Sequence, residues 1–159
     1  MRNIHAILTK HILQKQQQGA FRKGNMFVVT KDGKIEYVAA NPDIVGAEME
    51  KLFHDIDVLL NATLNFNEVI YFASMLHLAF VKIHPFEDGN GRTARLLEKW
   101  FVAQKLGEKS WYIQSEKYYY TNHQTYYHHL SQLGLEYDEL NYSKANLFVR
   151  MLPKSITEK

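Results

Sequence analysis

The chain has 159 residues, 46% of them hydrophobic and 23% charged, with a net charge of +2 and no cysteine. That length suits one domain with a buried core. The weak charge implies no strong field for nucleic acid or a membrane surface. The missing cysteine excludes a disulfide framework and a thiolate zinc site. The first thirty residues lack a signal-peptide core, and no stretch reads as long enough to cross a bilayer, so cytoplasmic residence is the expectation.

Residues 1–18 read as an N-terminal helix. Ile4, Ile7, Leu8, His11 and Ile12 recur at helical spacing, and the polar run Gln14 to Gln18 ends at Gly19. Residues 19–41 read as a hairpin region: Met26 to Thr30 and Ile35 to Ala39 are β-prone and flank Lys31-Asp32-Gly33-Lys34, whose Asp-Gly favours a tight turn. A lone hairpin is marginal in water, so this one must lie on something.

Residues 42–152 read as a helical core. One helix starts at Pro42 or Asp43 and runs to about Asn61, with an apolar stripe through Val45, Met49, Leu52, Phe53, Ile56, Leu59 and Leu60. Asn65 or Asn67 caps the next, which runs to about Lys82 and is apolar on most sides, as a central buried helix is. His77 within it has no second ligand at metal spacing and is expected to be a hydrogen-bonded core histidine. A further helix spans about Asn90 to Leu106 and ends at Gly107. The tyrosine-rich stretch Tyr112 to Tyr127 reads as a helix packed on the core. His128 and His129 are adjacent, so on a helix they point about 100° apart and share an ion poorly. Asn141 to Leu152 reads as a last amphipathic helix stopped by Pro153, before a polar tail over residues 153–159.

The stretch His84 to Arg95, HPFEDGNGRTAR, carries the chemistry. Gly89 and Gly91 allow a tight turn and close approach to a ligand. Asn90 between them suits a helix N-cap. Arg92 and Arg95 then fall three residues apart on the first turns of a helix, where the dipole and free N–H groups also favour an anion. Asp88 is a hard oxygen ligand suited to Mg²⁺ shared with phosphate oxygens. His84 has an ordinary pKa of about 6.5, near that of a useful general base. Phe86 is apolar within a polar run and is expected to anchor the loop. Taken singly, each residue fits an ordinary helix start; the ordered set of chemical types does not.

The stretch resembles the signature of the Fic family, H-x-F-x-[D/E]-G-N-G-R-x-x-R, with every specified position filled: His84, Phe86, Asp88, Gly89, Asn90, Gly91, Arg92 and Arg95. The resemblance implies a mainly α domain over residues 1–159, with a central helix pair around the active-site loop and one β-hairpin. It implies a protein adenylyltransferase that moves AMP from ATP to a Tyr, Ser or Thr hydroxyl of a target protein. His84 would take the hydroxyl proton, Asp88 would hold Mg²⁺, Gly89, Asn90 and Gly91 would form an anion hole, and Arg92 and Arg95 would hold phosphates. The hairpin would be the flap that aligns a target segment by strand addition, approached through Gly19-Ala20-Phe21-Arg22. Where the family often has two prolines after the flap, this chain has Ala39-Ala40-Asn41-Pro42. Tyr126-Tyr127-His128-His129-Leu130 resembles the family's Tyr-Tyr-x-x-Leu segment, which places Tyr127 at the nucleotide; the asparagine that often follows is replaced near Gly134.

Many family members carry an inhibitory helix, [S/T]-x-x-x-E-[G/N], whose glutamate pairs with the second motif arginine. No segment here matches: Ser131 and Glu136 are one residue too far apart, and Tyr137 follows. A one-residue slip turns a side chain about 100° around a helix. The resemblance therefore implies control by a separate small antitoxin chain. Relatives that move another phosphate-containing group, or a nucleotide-binding toxin component with little catalysis, are the alternatives.

Overall fold

The computed structural model describes residues 1–30 and 33–157. It is mainly α, with eight α-helices among the described residues and one two-stranded hairpin. The helices are α1 (Arg2–Thr9), α2 (Val45–Asn61), α3 (Phe66–Ile83), α4 (Asn90–Leu106), α5 (Ser115–Thr121), α6 (His123–Ser131), α7 (Asn146–Val149) and α8 (Met151–Thr157). The strands are β1 (Phe27–Val29) and β2 (Ile35–Val38).

Helices α3 and α4 form the central pair. Asn65 starts α3 with a capping box: its side chain accepts from the Glu68 N–H, and the Glu68 carboxylate accepts from the Asn65 N–H. Val69, Ala73, Leu78 and Phe80 are fully buried, so α3 is the core helix its composition implies. By length and composition α3 also reaches the size of a membrane span, against the sequence reading; most of it is buried inside this fold, as in the core helix of a globular domain.

Helix α2 lays Val45, Met49, Leu52 and Ile56 on the core, but Phe53 is exposed. Its regular hydrogen bonding begins at Val45, later than Pro42, because residues 42–44 form a turn in which Ile44 N–H donates to Asn41 O.

Three further elements differ from the sequence reading. The N-terminal helix stops at Thr9, and residues 10–18 form turns in which Gln18 Nε2 donates to the carbonyls of Lys10 and Leu13. The polar run has no apolar face to dock, so nothing extends the helix. The face of α1 that is buried is His5 and Thr9, while Ile7 is exposed. At the other end, Pro153 does not stop a helix. It sits in the first turn of α8, where the N–H it lacks has no intrahelical acceptor. The tyrosine-rich stretch is two short helices broken at Asn122, and only Tyr119 and Tyr126 are buried.

The hairpin pairs Phe27 with Val38, Val28 with Tyr37 and Val29 with Ile35, with a register shift between Val28 and Val29. Its expected turn includes Lys31 and Asp32, which lie outside the described residues. Tyr37 points inward and is buried, while Phe27, Val29 and Ile35 are exposed.

Candidate active site

The site is built where α3 ends and α4 begins. His84 is the C-cap of α3 with φ 52°, ψ 59°, the one described non-glycine residue at positive φ. Left-handed backbone at a residue with a Cβ, followed by Pro85, is a strained conformation that surrounding contacts must hold. Arg22 supplies them. Its guanidinium donates to the carbonyls of His84 (2.7 Å), Ile83 (3.2 Å) and Gly24 (2.7 Å), and also to that of Ala40. The Arg22 N–H donates to Pro85 O (2.9 Å). This buried cation sits at a helix C-terminus, where the dipole favours it.

The His84 ring has one nitrogen committed and one open. Nδ1 lies 3.3 Å from Val81 O and 3.2 Å from the Tyr37 hydroxyl. A carbonyl only accepts, so Nδ1 carries the proton in this network and Nε2 keeps its lone pair. Nε2 meets no hydrogen-bond partner among the described residues. Burial, assisted by the Arg22 charge, lowers the His84 pKa to about 4, against opposing contributions from Val81 O and Asp88.

The loop that follows is held from both sides. Phe86 is fully buried and stacks on the His5 ring at 3.7 Å, the anchoring role expected of it. His5 Nε2 donates to Asp88 O (2.8 Å), and Gly19 N–H donates to His5 Nδ1 (2.9 Å). Gly89, with φ 81°, is the N-cap of α4; a Cβ there would lie 2.8 Å from the Thr9 methyl. Asn90 is therefore not the N-cap that its type suggests, but the first helical residue. Its buried side chain closes a ring on Phe86: Phe86 N–H donates to Oδ1 (2.9 Å) and Nδ2 donates to Phe86 O (2.7 Å). Beside that ring, the backbone N–H groups of Asn90, Gly91 and Arg92 have no intrahelical acceptor.

Arg92 joins the loop to a cavity. Its Nη2 lies 3.3 Å from Asp88 Oδ2, and it lines a cavity of about 530 Å³ together with Arg95, Leu96, Tyr119, Tyr126 and Tyr127. That volume suits a small ligand. Arg95 makes no hydrogen bond or ion pair with the described residues; its guanidinium lies against Gly91, where a Cβ would stand 3.1 Å from Nη1. The lining combines two cations with aromatic rings, and it includes Glu116, which is held by Lys99 (2.5 Å). Thus Arg92, Arg95 and Tyr127 come together in the cavity. Asp88 stands exposed beside it, and His84 and Asn90 lie outside its lining.

Sequence reasoning gave no site role to His5 or Tyr37, named Arg22 only on the approach to the hairpin, and counted Tyr119 only within the tyrosine-rich stretch. It also placed His77 in the core without its partners: Nδ1 faces Glu98 Oε2 (2.8 Å) and Nε2 faces the Tyr126 hydroxyl (3.1 Å).

The Mg²⁺ implied by the signature fits this donor set. Among the described residues no three His, Cys, Asp or Glu side chains cluster. A single exposed carboxylate beside the Arg92 guanidinium suits Mg²⁺, which draws most of its ligands from phosphate and water.

The fold is mainly α, with a histidine at the end of one core helix and two arginines at the start of the next. The Fic/DOC family model matches residues 1–102, and the chain belongs to that family. All of His84 to Arg95 lies inside the match; the tyrosines of the cavity lie beyond it. A Fic domain containing signaling protein from Bacteroides thetaiotaomicron superposes with a TM-score of 0.67 at 24% identity, over 99% of this chain and 60% of that one. A Fic family protein from Desulfovibrio desulfuricans gives 0.67 at 21%, over 96% and 45%. In sequence, the chain is 30% identical over 124 residues to a ribonucleoside-diphosphate reductase small chain of Ostreid herpesvirus 1, covering 74% of this chain and 20% of that protein. It is 58% identical over 31 residues to a uridine 5'-monophosphate transferase of Xanthomonas campestris, 20% of this chain and 6% of that protein. The chain spans a fifth or less of these two sequence relatives.

Proposed function

We propose that the chain is a Fic-type transferase that moves a nucleoside monophosphate, AMP from ATP, onto a hydroxyl of a target protein. The observation that carries this is the open Nε2 of His84, held at the end of α3 next to the cationic start of α4. A base that is neutral at working pH, and has only its outer nitrogen free, is set to take one proton from an incoming hydroxyl.

The hydroxyl oxygen forms a bond to the α-phosphorus, the bond from that phosphorus to the β-phosphate oxygen breaks, and the proton goes to His84 Nε2. Pyrophosphate leaves. Arg92, Arg95 and the first N–H groups of α4 orient the phosphates and offset their charge, so catalysis is mainly positioning. Asp88 would hold Mg²⁺ with phosphate oxygens, which adds charge neutralisation at the leaving group. Tyr119, Tyr126 and Tyr127 offer ring surface to the base. The flap hairpin would present its open edge to a target segment, and a separate antitoxin chain would regulate the site.

A second donor is favoured by one observation. The short match at 58% is to a protein named for uridine monophosphate transfer, so UTP is the competing nucleotide.

The test is incubation with Mg²⁺, a lysate and either ATP or UTP labelled at the α-phosphate, beside His84→Ala. Label on protein from ATP with the wild type only supports AMP transfer. Label only from UTP moves the reading to uridylyl transfer. Label from γ-labelled ATP alone means phosphate transfer, and no label with intact nucleotide binding points to a binding component.

A further inference from the structure

We infer that Tyr37 of the flap strand β2 is a positioning residue for His84, fixing the imidazole with Nδ1 protonated and Nε2 turned to the reactants. This rests on reading His84 as the base.

The cause begins in the chain itself. The carbonyl of Val81 would find its helical partner in the N–H of residue 85, but residue 85 is proline and has none. The orphan carbonyl is met by two side chains, the Tyr37 hydroxyl (2.9 Å) and His84 Nδ1 (3.3 Å), which are themselves 3.2 Å apart. Each donates its proton toward Val81 O, and the Tyr37 oxygen keeps lone pairs for Nδ1–H. The opposite tautomer would set an Nδ1 lone pair against a carbonyl lone pair.

The Tyr37 ring is itself held. It is 2% exposed, it meets the His84 ring edge-on at 6.2 Å, and the Lys82 ammonium lies 4.1 Å over its face. Lys82 Nζ is fully buried with no hydrogen-bond partner among the described residues, so the ring face is its counterpart. A phenylalanine would fill the same space. The hydroxyl is accounted for only by the polar atoms that it meets at the end of α3. With Arg22 on the His84 carbonyl, the flap region grips the base by backbone and by ring.

The test is Tyr37→Phe, read by ¹⁵N NMR of the His84 imidazole and by turnover. The variant should lose the single Nδ1–H tautomer in favour of a mixture. Its kcat should fall roughly ten-fold with nucleotide affinity unchanged. In the wild type, a slowly exchanging Tyr37 hydroxyl proton close to the His84 ring is expected whether or not the variant folds. An unaltered tautomer in the variant, or no such proton in the wild type, overturns the proposal. Neither NMR reading requires nucleotide or target, so they stand apart from the His84→Ala activity test of the base itself.

Discussion

His5 on α1 donates from Nε2 to the carbonyl of Asp88, 83 positions along the chain, at 2.8 Å. The same ring accepts the Gly19 N–H and stacks on Phe86. The N-terminal helix is therefore part of the active-site loop's support. His5→Ala removes two hydrogen bonds and a stacked ring, and should cost about 2–4 kcal/mol of stability in denaturant unfolding. Unchanged stability would mean that the loop holds itself.

The proposed base and phosphate-binding residues were legible because they lie within twelve consecutive positions of distinctive chemistry. The residues that hold them were not. His5, Arg22 and Tyr37 reach the loop or α3 across 83, 62 and 47 positions, and no local periodicity marks a buried polar side chain. The α3 and α4 helices were readable from their apolar pattern, cap and terminal glycine. The end of α1 was not, because residues 10–18 are placed by side-chain bonds to backbone rather than by an apolar face.

The low pKa of His84 makes a pH prediction. A base acts while neutral, and burial beside Arg22 holds His84 neutral down to about pH 4. Turnover should then stay level as pH falls through 6.5 to 5, instead of halving near the ordinary histidine value. Folding works against acid over the same window. The unfolded chain protonates its histidine below about 6.5 while the folded one does not, so stability falls as pH drops toward 4. A pH–kcat profile with a limb near 6.5 and no loss of fold would contradict the burial of the base.

Arg95 makes no bond with the described residues and lines the cavity that Arg92 shares. An intrachain clamp would have to sit on it. Arg95→Ala should weaken ATP binding at least ten-fold by loss of a charge-assisted phosphate contact, and should give no gain of activity. Titration calorimetry measures the first; a rise in label transfer would reveal a clamp and sink the reading that control comes from another chain.

Asn90 should matter more for the loop than for the nucleotide. Its amide satisfies both backbone groups of the buried Phe86. Asn90→Leu strands both groups without partners and should cost about 2–4 kcal/mol. Nucleotide binding would suffer through displacement of Gly89 and Gly91. If Asn90→Leu kept full stability and lost only nucleotide affinity, the side chain would be a direct ligand instead.

Glu98 is fully buried, and its Oε2 takes the His77 Nδ1–H and the Tyr119 hydroxyl proton (2.7 Å) while the Tyr126 hydroxyl bonds His77 Nε2. Two of the cavity's four wall tyrosines thus hang on one carboxylate. Burial and Glu98 push the Tyr119 hydroxyl well above its ordinary pKa, so it remains a donor at any working pH. Glu98→Ala leaves two buried donors unmet and should cost more than about 3 kcal/mol, with a parallel loss of nucleotide affinity as both rings come free. Glu98→Gln keeps an amide oxygen at the same reach and should lose far less of either. Equal damage from the two substitutions would show that the charge of Glu98, not its acceptor oxygen, holds the wall in place.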